Sequence, residues 1–111
     1  MELKIPELIE LPNGFTNLSG LKTLKIKNAK KVDPFQLFAQ IKELGKLKQL
    51  YLHNCGLDSL PDLAYEMKNL RTLNLTCNYI ESVPVRIKQL NKLSYLDLRS
   101  NPLKPGLYAK L

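Results

Sequence analysis

Leu47, Leu70 and Leu93 stand 23 residues apart (70 − 47 and 93 − 70), and nearly the same stretch follows each of them. LKQLYLHNCGLDSLP begins at Leu47, LRTLNLTCNYIESVP at Leu70 and LSYLDLRSNPL at Leu93. The shared pattern is L-x-x-L-x-L-x-x-[NC]-x-[LI]-x-x-[LV]-P. No other feature constrains the fold so strongly. A fixed period of this length means one structural unit stacked on copies of itself, each needing a neighbour to bury its apolar face.

The pattern has a physical reading position by position. In L-x-x-L-x-L the fourth and sixth positions alternate with polar residues, as a short strand with one buried face requires. Leu73 and Leu75 fill them in the unit that starts at Leu70. Strands of successive units then stack in parallel, about 4.8 Å apart. Asn78 and Asn101 occupy the ninth position, where a buried amide can bond the backbone as it turns out of the strand; Cys55 stands there one unit earlier. Leu57, Leu60, Ala64 and Met67, then Ile80, Val83, Ile87 and Leu90, are expected to close the back of each coil.

Leu21, Leu24 and Ile26 open an earlier unit with Ala29 at its ninth position. It runs 26 residues to Leu47 (47 − 21), three more than the period. The extra length contains Asp33 as an N-cap, Pro34 as first helical residue, Gln36 as capping-box partner and Gly45 as stop, which predicts a helix over 34–44. Phe35, Leu37, Phe38, Ile41 and Leu44 are its expected buried face, and the other backs should be shorter and more irregular. Before it, Leu8, Leu11-Pro12, Phe15 and Leu18 match the back half of a unit, and counting back by the period places Met1 and Leu3 on strand positions. The pattern fails at Gly106, and the tail with Leu107 and Tyr108 is expected to fold over the last unit. One domain over 1–111 results: a partial unit 1–20, units 21–46, 47–69 and 70–92, and a last partial unit with tail over 93–111.

These residues resemble the leucine-rich-repeat family in its 23-residue form with an LP step, most of all its bacterial members. The resemblance covers nearly the whole chain. It implies an α/β solenoid: a short, curved, right-handed horseshoe with a parallel sheet on the concave side, the 34–44 helix on the convex side, and ligands taken by the concave face. It also implies tolerance of Cys55 at the Asn position.

The polar residues between the strand leucines point to that concave face. The third positions are Thr23, Gln49, Thr72 and Tyr95; the fifth are Lys25, Tyr51, Asn74 and Asp97; the seventh are Lys27, His53, Thr76 and Arg99. Tyr, His and Arg are residue types that recognition surfaces favour, whereas Tyr and Thr also suit any exposed strand. The candidate partner-binding set is Lys25, Lys27, Tyr51, His53, Asn74, Thr76, Tyr95, Asp97 and Arg99, expected to be exposed together on one surface. His53 has no second histidine, and Asp97 lies two strands away, roughly 10 Å, too far to orient it as a base. Cys55 and Cys77 fall on adjacent units, with Cys55 expected inward and Cys77 more outward, so their Cβ vectors should diverge.

Composition excludes other classes. A chain 44% hydrophobic and 24% charged fits a folded protein rather than a disordered one, and no apolar run approaches the roughly 18 residues needed to cross a bilayer. Two cysteines and one histidine are too few for a disulfide scaffold or a zinc site, and no nucleophile dyad or phosphate loop is present. No catalytic, cofactor or metal site is expected, and the chain reads as a non-enzyme. The net charge of +7 is concentrated between Lys22 and Lys48, where eight Lys face Asp33 and Glu43. Solubility accounts for this more simply than a polyanion site does.

The leading expectation is a protein-binding module with a protein or peptide partner. Alternatives are a fragment or scaffold of a larger repeat protein whose array is completed by another domain or copy, and polyanion binding through the Lys-rich first unit without recognition of a specific nucleic acid. The N-terminal strand, expected at Glu2 to Lys4, has an open edge that invites weak self-association. A cytoplasmic location is the default for a chain whose first residues lack signal-peptide layout, with secretion open if a leader has been removed.

Overall fold

The computed structural model describes residues 2–5, 14 and 17–104, except for the Leu3 side chain. The expectations for Met1, Leu8, Leu11-Pro12, Phe15, Gly106, Leu107 and Tyr108 lie outside these residues. Among them, five strands form one parallel sheet in chain order: β1 (Glu2–Ile5), β2 (Thr23–Lys27), β3 (Gln49–His53), β4 (Thr72–Asn74) and β5 (Tyr95–Asp97). The register puts the fourth-position residues in one column, Leu3, Leu24, Leu50, Leu73 and Leu96. Of these, Leu24, Leu50 and Leu73 are at most 1% exposed, so each stacks between neighbours.

The first step of the stack is shorter than the period. Leu3 pairs with Leu24 and Ile5 with Ile26, a spacing of 21 residues (24 − 3), so Leu3 and Ile5 take the strand positions that the 23-residue count assigns to Met1 and Leu3. A shift of two preserves the alternation of faces, which is why Lys4 still belongs to the polar side.

The one α-helix among the described residues, α1 (Pro34–Ile41), begins where expected: the Asp33 carboxylate accepts the Phe35 N–H at 3.2 Å. It ends three residues early. The Glu43 and Leu44 amides donate to the carbonyls of Gln40 and Ile41, three residues back, so the last turn tightens to 3-10 geometry while Leu44 stays buried. Phe35 is a correction: it is 59% exposed rather than part of the buried face. At 100° per residue, Leu37, Phe38, Ile41 and Leu44 fall within one arc, and Phe35 points roughly 130° from its centre. The later backs are 3-10 turns, Asp62–Glu66 and Val85–Gln89, entered from Pro61 and Pro84. Leu57, Ala64, Met67, Ile80, Val83, Ile87 and Leu90 are buried behind the sheet; Leu60 is only partly so.

Asn78 ties two units together. Its Oδ1 accepts the amides of Cys55 and Leu57 at 2.9 and 3.1 Å, and its Nδ2 donates to the carbonyls of Leu52 and Leu75, both at 2.8 Å. Asn101 repeats the arrangement one unit on, bonding Ile80 N and Leu75 O. Each amide reaches groups that have left the sheet ladder and are shielded from water. The residue before this position has left-handed backbone in all four units: φ is 59° at Asn28, 55° at Asn54, 59° at Cys77 and 62° at Ser100. There the strand turns into the back, and its N–H still reaches the next unit just past its strand, as Asn54 N to Thr76 O and Cys77 N to Arg99 O.

Candidate functional site

The parallel register lines up the residues between the core leucines in columns across the sheet. Lys4, Lys25, Tyr51, Asn74 and Asp97 form one column, and Lys27 and His53 are partners in the next. A groove of about 460 Å³ runs over the first four strands, lined by Lys4, Ile5, Lys25, Ile26, Lys27, Tyr51, His53, Asn74 and Thr76. It gathers six of the nine sequence-predicted residues: Lys25, Lys27, Tyr51, His53, Asn74 and Thr76. Lys4 and Ile5 were not foreseen; the strand parity of the first residues was the signal that could have found them.

Polar contacts fix several of these side chains. Asn74 Oδ1 accepts both the Thr76 N–H (3.0 Å) and the Thr76 hydroxyl (2.8 Å). The backbone donor identifies that atom as oxygen, so the hydroxyl must donate to it. His53 Nδ1 lies 2.8 Å from the same hydroxyl oxygen, whose proton is already committed. The ring therefore carries its proton on Nδ1, and in the neutral form Nε2 keeps a free lone pair. The Lys25 ammonium sits 4.8 Å from the centre of the Tyr51 ring, a favourable cation–π distance. Glu2 bridges two lysines, at 3.3 Å from Lys25 and 3.7 Å from Lys4. Lys27 is exposed and has no ionic partner among the described residues.

The remaining three expected residues stand apart, on β5 and just after it. Asp97 is a correction: it is 5% exposed, not part of an open surface. The Arg99 guanidinium folds back over it, with Nη2 at 2.7 Å and Nε at 3.0 Å, while the Arg99 N–H and the Tyr95 hydroxyl also donate to it. Hydrogen bonding from Arg99 outweighs burial and holds its carboxyl at about 2, below the ordinary 3.8. Tyr95 and Arg99 are exposed. This end of the face thus satisfies its own charge.

Cys55 is buried and Cys77 partly exposed, and both are free thiols. Burial pushes the Cys55 thiol up, partly offset by a bond from the Ala29 backbone. Among the described residues, no three of His, Cys, Asp and Glu are grouped to hold a metal ion. No described helix is long and apolar enough to cross a membrane.

A stacked parallel sheet with leucine columns and an asparagine tie at each turn defines a repeat solenoid, and a family profile described as leucine rich repeat matches residues 45–103. The chain belongs to the leucine-rich-repeat family, which generally serves protein interaction and is typically non-enzymatic. A leucine-rich-repeat protein of Leptospira interrogans has the same fold, with TM-score 0.78 and 31% identity over 94% of this chain and 26% of its own. A disease resistance-like protein of Arabidopsis thaliana is 33% identical over 83% of the chain and 8% of its own length. A volume-regulated anion channel subunit of Homo sapiens is 39% identical over 82% of the chain and 11% of its own. The chain spans about a tenth of these two relatives.

Proposed function

We propose that this chain is a non-enzymatic protein-binding module that presents its concave sheet to a protein or peptide partner. The observation that carries this reading is the groove over β1–β4, where six of the expected residues converge on one open surface. Within it His53 is already braced against Thr76, and elsewhere on the sheet Thr23 against Gln49, so ordering them on binding costs little. An open, curved sheet without a convergent polar pocket does not suit catalysis.

Size shapes the second reading. Five strands stack to about 19 Å and each is about 10 Å long, so the sheet offers a few hundred Å² against the roughly 800 Å² per partner of a standard interface. The rims must therefore contribute, or the array is completed by another domain or copy.

The test is capture of a partner by the immobilised protein, followed by cross-link mapping. Contacts should fall at Tyr51 and His53, and Tyr51→Ala should abolish capture without lowering the melting temperature. Contacts confined to α1 on the convex side would overturn the reading.

A further inference from the structure

The two halves of the concave face differ in charge, and the difference specifies the chemistry of a partner. At β5 the Asp97 carboxylate and the Arg99 guanidinium neutralise each other. Over β1 and β2 three ammonium groups, Lys4, Lys25 and Lys27, line the groove. The one carboxylate paired with them among the described residues is Glu2, placed between Lys25 and Lys4.

We propose that this N-terminal half of the groove takes an acidic peptide segment, and that Glu2 occupies, in the free protein, the place of one ligand carboxylate. The inference rests on the concave face being the binding face. Lys25 and Lys27 are two residues apart on β2, roughly 7 Å, the same span as alternate side chains of an extended peptide. The first carboxylate would displace Glu2 from Lys25, and the second would meet Lys27, which has no ion-pair partner among the described residues. The free Nε2 of neutral His53 can accept a peptide N–H beside them. A nucleic acid fits less well. Its affinity grows with the number of phosphates neutralised, and among the described residues three lysines line the groove. Among the described residues the one aromatic ring lining it is Tyr51, and Lys25 covers one of its faces, which disfavours stacking of bases.

The test is fluorescence anisotropy at low salt with labelled hexaglutamate, hexaglutamine and hexathymidylate as probes. Hexaglutamate should bind and hexaglutamine should not, with affinity falling as salt rises. Lys25→Gln and Lys27→Gln should each weaken binding about twofold to fivefold, and Glu2→Gln should tighten it by a similar factor. Lys46→Gln, an equal charge change outside the groove, should leave it unaltered. The proposal is overturned if hexathymidylate binds more tightly than hexaglutamate, if Lys46→Gln matters as much as Lys27→Gln, or if Glu2→Gln fails to tighten binding. If hexaglutamate does not bind but a captured partner is still lost on Tyr51→Ala, the concave-face reading stands and the acidic class falls.

Discussion

Asn78→Ala should be among the most damaging single substitutions in this chain, and its cost can be worked from the bonds it removes. The buried amide makes four hydrogen bonds between 2.8 and 3.1 Å, two accepted from Cys55 and Leu57 and two donated to Leu52 and Leu75. At about 1 kcal/mol net for each, the loss is about 4 kcal/mol, a large part of the 5–15 kcal/mol that a domain of this size commands. No side chain of Ala can replace the amide, and water reaches a site only 4% exposed poorly. Urea denaturation followed by circular dichroism gives the stability difference, and native-state amide exchange locates it: protection of the Cys55 and Leu57 amides should collapse first. Asn78→Cys should fall between wild type and Ala. Cys55, at the same place one unit earlier, reaches the His53 and Ile26 carbonyls at 3.4 and 3.8 Å, so a thiol copies the donor contacts weakly. A loss under about 1 kcal/mol for Asn78→Ala, or exchange unchanged at Cys55 and Leu57, would refute the idea that this amide joins adjacent units.

Leu73→Ala should cost roughly 2–5 kcal/mol, because the side chain is 1% exposed within the leucine column; an unchanged melting temperature would remove the stacked-core account. Cys77→Asn should stabilise by about 1 kcal/mol, since φ is 59° there and Asn tolerates left-handed backbone better than Cys; the melting temperature should rise, and a fall would count against backbone strain at this turn. The Asp97 carboxyl, at about 2 in the folded protein against an ordinary 3.8, contributes stability that is complete above the ordinary value and lost as pH falls through the lower one. Asp97→Asn should therefore flatten the part of the acid denaturation profile between those two values, and an unaltered profile would show that the Arg99 pair does not matter to folding.

The leucine period made the fold legible because burial is periodic and the register of a parallel stack follows from it. Leu24, Leu50 and Leu73 form a column because each occupies the fourth place in its unit. The α1 start was equally readable, as Asp33-Pro34 satisfies local backbone geometry that needs no tertiary context. Features that depend on context were not readable. Phe35 is not one of these: at 100° per residue it falls outside the arc of Leu37, Phe38, Ile41 and Leu44, so its exposure could be counted from the spacing, and apolar character alone put it on the buried face. The first step of 21 residues instead of 23 could not be counted, because a shift of two residues leaves the alternation of apolar and polar positions intact.

The same distinction runs through the candidate site. Alternation says which face a side chain leaves from, and it placed Lys25, Tyr51 and Asn74 correctly beside one another. It is silent on bonds between the fifth and seventh positions of one unit, and those bonds decide what the face offers. In both of the last two units an Asn or Asp at the fifth position accepts the N–H of the seventh, Asn74 from Thr76 and Asp97 from Arg99. That local turn chemistry is open to any Asx residue two places before a bend. The length of the seventh side chain then sets the outcome. Thr76 is short and passes the contact sideways to His53, which stays in the groove. Arg99 is long and folds back on the carboxylate, so Asp97 is buried and its charge spent within the unit. Lys25 and Lys27 have no acidic neighbour of this kind on their own strand, which leaves the cationic character of the face on the first strands. Under the proposed reading, the fifth and seventh residues of each unit together would direct a partner that reads charge to that end.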